Sequence, residues 1–149
     1  MSEKKQFYDT FKSLMMLAKK LLADSVKGRE MVVDGMKSMS ILSPDNFYLA
    51  ALPFYRVMIP YVETGRKKEN MSPSEVKMID AHRDKVINDK ELIKRKILEA
   101  GQPYDMETER AISIIKAAWK RGSPSERDTC WGYISECCAI VKAVEAINI

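Results

Sequence analysis

Three short groups of basic side chains are the residues whose type and spacing could do chemistry. The groups are Arg66-Lys67-Lys68, Lys94-Arg95-Lys96 and Lys120-Arg121. Lysines and arginines in loops and at helix ends can reach the phosphate oxygens of a nucleic acid and position a protein without reading bases. If the three groups share one face, they form a nucleic-acid footprint. The alternative is that they are ordinary solvated charges on a helical surface.

The distribution of charge along the chain is uneven and places these groups in basic regions. The 149 residues include 25 basic and 21 acidic side chains, a net charge of +4. Residues 66–96 hold ten basic and six acidic side chains, and residues 110–127 hold five and one. The intervening residues 97–109 carry four acidic side chains and no basic one. The modest total therefore conceals two basic regions where a polyanion could bind.

No recognised catalytic or cofactor motif accompanies the basic groups. The chain has one histidine, His82, and its three cysteines, Cys130, Cys137 and Cys138, lack the C-x-x-C spacing of zinc and redox sites. The Gly-rich nucleotide loops and the G-x-S-x-G elbow are also absent. We therefore predict no enzymatic activity, no cofactor and no metal site, with His82 structural and the cysteines in the core. A site built from scattered carboxylates would leave no sequence signal.

Residues typical of helix starts and helix ends are the clearest structural signal in the sequence. The sequence Ser-Pro-Ser-Glu occurs at 72–75 and again at 123–126. In each copy the first serine can cap the helix, proline fits the first helical position, and glutamate can close a capping box. Gly65, Gly101 and Gly122 follow helical patterns and are suited to helix C-termini. These signals predict where helices begin and end.

The apolar spacing between these signals predicts an all-α fold. We expect one domain, residues 1–149, folded as a compact bundle of about six helices. The expected helices are 3–26, 29–40, 44–64, 73–100, 106–121 and 124–147. The third contains Pro53 and Pro60, so we expect it to be kinked or split.

The expected helix 73–100 places charged side chains within its apolar face. As one continuous helix, its apolar stripe also includes Arg83, Lys90 and Lys94. A break at Asn88-Asp89, two good capping residues, would reset the helical phase and remove the conflict. Alternatively, the three cations face an acidic or phosphate partner. The sequence leaves both possibilities open.

Membrane and export signals are lacking. The N-terminus has no apolar segment of signal-peptide length, and no apolar run approaches the roughly 18 residues needed to span a bilayer. The first helix is basic and amphipathic, a pattern typical of either a membrane surface or a core-packed helix. We favour core packing, and we expect a cytoplasmic protein without a membrane span.

Two functional hypotheses follow. In the first, the chain is a non-enzymatic, nucleic-acid-associated helical protein, a small subunit of a larger nucleoprotein assembly that holds the RNA or DNA backbone without base readout. In the second, it is a protein–protein interaction or self-assembly module with no nucleic-acid role. The second rests on the strongly apolar segment 47–59, part of which could form an interface. Composition alone does not choose between them.

Overall fold

A computed structural model describes residues 2–65 and 69–147 of the chain. Over these residues the helices are joined by short loops and no β-strand is present, which confirms the predicted all-α fold class. Seven helices are present in this part of the chain, against the six expected. They are α1 (Glu3–Leu21), α2 (Val26–Ser40), α3 (Pro44–Thr64), α4 (Pro73–Asn88), α5 (Lys90–Glu99), α6 (Met106–Arg121) and α7 (Pro124–Ile147).

Both predicted capping boxes form. At the start of α4, the Glu75 backbone N–H donates to Ser72 Oγ at 3.3 Å, and Ser72 N–H donates to Glu75 Oε1 at 3.4 Å. At the start of α7, the corresponding distances between Ser123 and Glu126 are 3.2 and 3.0 Å. Each box satisfies two backbone donors that a helix N-terminus leaves free. These local signals therefore set the helix starts as the sequence predicted.

The additional helix arises from a break at Asp89. This residue ends α4 and caps α5, because its Oδ1 accepts a hydrogen bond of 3.0 Å from the Leu92 N–H. The break changes the helical phase, so Val86 and Ile87 of α4 and Ile93 of α5 are all buried. Of the two possibilities left open by the sequence, the structure has the interrupted helix.

The helix α3 is not split, although Pro53 and Pro60 both lie inside it. Each proline removes one backbone hydrogen bond. The helix continues because its apolar face is held on both sides of Pro53 by buried contacts with α1 and α7. In that face Tyr55 and Met58 are fully buried, and the ring of Tyr55 lies 5.2 Å from that of Phe7 in α1. Tertiary packing here outweighs a local helix breaker.

The core forms where α1, α3 and α7 pack together, and α6 and α2 cover one side. The apolar face of α1 is buried through Phe7, Phe11 and Leu14, which confirms that this helix packs into the domain. Trp131 of α7 is buried beside Trp119 of α6, with ring centroids 6.0 Å apart. Within the described residues, no helix has the length and apolar character needed to cross a membrane.

Candidate nucleic-acid interface

One end of the bundle brings together two chain segments that are far apart in sequence. There α1 ends, α2 begins, α6 ends and α7 begins. Arg121, the last residue of α6, donates a hydrogen bond from Nη1 to Asp24 in the α1–α2 loop, 97 positions earlier. Hydrogen bonds from Ser123 lower the pKa of Glu126, and the nearby charge of Lys20 adds to this effect. These contacts place residues 19–30 beside residues 116–127.

The joined segments are strongly basic. Residues 19–30 and 116–127 together hold eight basic and three acidic side chains, a net charge of +5 that exceeds the +4 of the whole chain. Six of these cations are exposed at or beside the ends of α1, α2 and α6. One of them, Arg29, donates from Nη1 to the Ala23 carbonyl oxygen at 3.0 Å, and we call the other five the basic end. Its members are Lys19, Lys20, Lys27, Lys120 and Arg121.

Helix chemistry accounts for four of these five cations, since the fifth, Lys27, lies in the first turn of α2. Lys19 and Lys20 lie in the last turn of α1, and Lys120 and Arg121 lie in the last turn of α6. Cations are favoured there because the last carbonyl groups of a helix carry partial negative charge. Across residues 2–65 and 69–147, no carboxylate forms an ion pair with Lys19, Lys20, Lys27 or Lys120, and Arg121 alone of the five is paired. The four ammonium groups therefore remain available to an external anion.

The group Lys94-Arg95-Lys96, which we call the α5 triplet, has different surroundings. Lys94 Nζ lies 5.4 Å from the ring centroid of Tyr104, a cation–π contact. Arg95 and Lys96 both approach Glu99, at 3.7 and 3.8 Å. Each member of the triplet thus already has a partner within the protein.

The α5 triplet and the Lys120-Arg121 pair lie at opposite ends of α6. Lys94 contacts Tyr104, two residues before the start of α6, whereas Lys120 and Arg121 end that helix. The 16 residues of α6 span about 24 Å at 1.5 Å per residue. Because screening at physiological salt acts over about 8 Å, the two groups do not reinforce each other's electrostatic potential. The third predicted group, Arg66, Lys67 and Lys68, lies outside the described residues and remains a prediction.

The other two cations of the apolar stripe predicted for residues 73–100, Arg83 and Lys90, also have partners within the protein. Arg83 is buried, and its guanidinium donates to the Gly65 carbonyl at 3.1 Å and to Asp128 Oδ1 at 2.7 Å. Its guanidinium also lies 5.3 Å from the ring centroid of Trp131. Lys90 forms an ion pair with Glu109 and lowers the pKa of that carboxylate. Arg83 therefore joins α3, α4 and α7 inside the bundle and is not exposed to an outside partner.

The nucleophilic side chains are buried in the core. Cys130, Cys137 and Cys138 are free thiols, and burial raises the pKa of Cys130 and Cys138 to about 12. Thiols with such pKa values are poor nucleophiles, because the thiolate is the reactive form. His82 lies with Nε2 3.0 Å from the Tyr61 carbonyl oxygen, a structural contact. Among the described residues, no three His, Cys, Asp or Glu side chains are grouped to hold a metal ion.

Sequence reasoning identified Lys120 and Arg121 but did not include Lys19, Lys20 or Lys27. Those three look like the polar side of an amphipathic helix and its flanking loop. Their grouping with Lys120 depends on how α1, α2, α6 and α7 pack, which local spacing does not encode. The chain matches no family model, no curated protein and no solved structure. The function proposed below therefore rests on the geometry of its own residues.

Proposed function

We propose that the chain is a non-enzymatic protein that holds the phosphate backbone of a nucleic acid through its basic end. In this proposal it serves as a small subunit of a larger nucleoprotein assembly. The supporting observation is that two distant segments, residues 19–30 and 116–127, meet and together carry a net charge of +5. The same charges spread around the molecule would give no comparable local potential.

The types of cation at the basic end favour backbone contact over base readout. Four of its five members are lysines, whose flexible stems carry a compact charge without the planar fork that reads guanine edges. The one arginine, Arg121, uses its guanidinium on Asp24. We therefore expect weak dependence on nucleic-acid sequence and strong dependence on salt concentration.

A second candidate function is protein–protein interaction or self-assembly with no nucleic-acid role. It is favoured by large apolar side chains that remain in solvent, among them Ile41 at 83% exposure, Met106 at 79% and Leu49 at 61%. Exposed apolar side chains of this size are frequent at interfaces. This candidate predicts concentration-dependent association in light scattering, even when no nucleic acid is present.

The test of the proposed function is a salt titration of binding to labelled single-stranded RNA and DNA oligonucleotides. We expect binding at about 50 mM salt that weakens steeply, with a slope of about −0.7 for each phosphate neutralised on a single strand. For four available lysines the slope of log K against log salt is then about −3. Absence of binding at low salt, or binding that does not change with salt, would overturn the proposal.

A matched pair of double variants locates the contact. Replacing Lys20 and Lys120 with alanine removes two charges from the basic end and should reduce the salt slope by about 1.4. Replacing Arg95 and Lys96 with alanine removes the same charge from the α5 triplet and should leave the slope unchanged. Equal losses in the two variants would mean that binding follows total charge and not this site.

A further inference from the structure

A second feature of the molecule is an apolar cleft of about 150 Å³ between α1, α2, α3 and α6. The cleft lies near the start of α6, at the opposite end of that helix from Lys120 and Arg121. Four of the helices contribute large apolar or aromatic side chains to it. These side chains include Phe11, Met15, Met39, Phe47, Phe54 and Ile114.

The charged side chains that line the cleft already have partners. Arg110 Nη1 donates to both carboxylate oxygens of Glu107 at 3.1 Å and to Ser38 Oγ at 3.3 Å, which joins α6 to α2. Asp105 caps α6 by accepting hydrogen bonds from the Thr108 N–H and hydroxyl. Each charged group of the lining is therefore matched by an opposite charge or by a helix N-terminus. A charged ligand would have to displace one of these contacts.

The walls of the cleft combine fixed and adaptable parts. Gly35 allows α2 to approach α6 closely, since a Cβ atom at this position would lie 3.2 Å from Ile114 Cδ1. Met15 and Met39 are buried beside the cleft, and the flexible thioether side chain of methionine adjusts to different occupants. The cleft can thus fit a small molecule by moving side chains while the helices stay in place.

From these observations we propose that the cleft binds one small, uncharged apolar molecule of about the size of a single aromatic ring. A cavity of roughly this volume in another protein, also lined by apolar side chains, takes up benzene. The matched charges around the lining select against carboxylates and amines of the same ring size. This site is separate from the basic end and does not depend on the proposed nucleic-acid role.

The test uses benzene as the probe and the methionine methyl groups of the full chain as reporters in NMR spectra. The signals of Met15 and Met39 should shift in a saturable manner as benzene is added. The signal of Met78, which is 73% exposed and does not line the cleft, should stay in place. Benzoate and benzylammonium, which add one charge to the same ring, should produce no saturable shift.

Filling variants show whether binding occurs in the cleft. Ala51→Leu places three additional carbons in the lining and should weaken benzene binding at least about tenfold. Ala111→Leu fills the same cleft from α6 and serves if the first variant unfolds at a lower temperature. The matched control is Ala139→Leu on the exposed side of α7, which should bind benzene like the original chain.

Three results would overturn this proposal. The first is the absence of saturable shifts at Met15 and Met39 with benzene. The second is benzene binding that folded filling variants retain. The third is shifts at Met15 and Met39 that follow protein concentration without any probe, which would identify a second copy of the chain as the occupant. Salt-dependent RNA binding is measured in a separate experiment. Failure of the cleft proposal therefore leaves the proposed nucleic-acid function intact, and the reverse also holds.

Discussion

The basic end and the α5 triplet contain the same residue types but differ in how their charges are used. The triplet is the denser cluster in the sequence, with Lys94, Arg95 and Lys96 consecutive. In the folded chain, Glu99 lies close to two of these cations, and Tyr104 lies beside the third. The basic end is assembled from separate segments, and four of its five cations form no ion pair with the described residues.

This difference shows that charge density along the chain is a poor guide to charge density on the surface. A carboxylate one helical turn away, such as Glu99 beside Arg95 and Lys96, locally offsets a run of cations. By contrast, antiparallel and parallel helix packing can bring together cations that each look unremarkable in the sequence. The following predictions vary one side of this comparison at a time.

The largest effect is expected from charge reversal. The double variant Lys20→Glu and Lys120→Glu should weaken single-stranded RNA binding by about 100-fold at low salt, because each reversal replaces an attraction by a repulsion. Arg95→Glu with Lys96→Glu makes the same change of charge in the α5 triplet and should weaken binding by less than about threefold. Fluorescence anisotropy at fixed salt measures both. An equal loss of affinity in the two variants would contradict the proposed difference between the basic end and the α5 triplet.

A smaller loss is expected from Arg121→Ala. This change removes one cation and leaves the carboxylate of Asp24, which is 79% exposed, without its partner. Both consequences make the basic end less positive, so RNA affinity should fall by about tenfold in the same anisotropy measurement. Lys142→Ala, which separates an exposed ion pair with Glu63 on α3 and α7, is the control. An unchanged affinity for Arg121→Ala would remove this residue from the interface.

Asp24→Asn should increase the RNA affinity, whereas Arg121→Ala should lower it. The substitution removes one of the three acidic charges of the two joined segments and frees the Arg121 guanidinium. RNA affinity should therefore increase by about threefold at low salt and by less at high salt. Glu99→Gln frees Arg95 and Lys96 in the same way and should change affinity little. A larger gain for Glu99→Gln would identify the α5 triplet as the better site.

The smallest effect concerns stability and pH. Hydrogen bonds from Ser123 hold the pKa of Glu126 below its ordinary value of 4.5 in the folded chain. The folded state therefore binds this proton less readily than the unfolded state. The resulting stabilisation is present above pH 4.5 and is lost as the pH falls through the folded pKa. Glu126→Gln should flatten the decline of Tm between about pH 5 and pH 3, and an unchanged decline would contradict this.

Much of the fold was predictable because its signals are local. The Ser-Pro-Ser-Glu boxes at 72–75 and 123–126 form as expected, and the apolar stripes of α1, α6 and α7 are buried. The helix break at Asp89 was recognisable as one of two possibilities. Asp89 is a good capping residue, and a continuous helix 73–100 would carry cations within its apolar stripe. The continuity of α3 through Pro53 was not predictable, because it depends on contacts with α1 and α7.

The candidate site was predictable only in part. Lys120 and Arg121 were recognisable as consecutive cations at a helix end, where side chains reach outward. The partners that bring them together with Lys19 and Lys20 lie about a hundred positions away along the chain, and no local pattern encodes that packing. The partner of Arg83 was hidden for the same reason, since Asp128 lies 45 residues further along the chain.

The most direct test of the basic end as the nucleic-acid interface is lysine footprinting with single-stranded RNA. The full chain is acetylated for a short time with and without RNA, and mass spectrometry measures the modification of each lysine. We predict that bound RNA slows the acetylation of Lys19, Lys20, Lys27 and Lys120, while that of Lys94 and Lys96 stays unchanged. Protection of Lys94 and Lys96 without protection of the basic end would contradict the account.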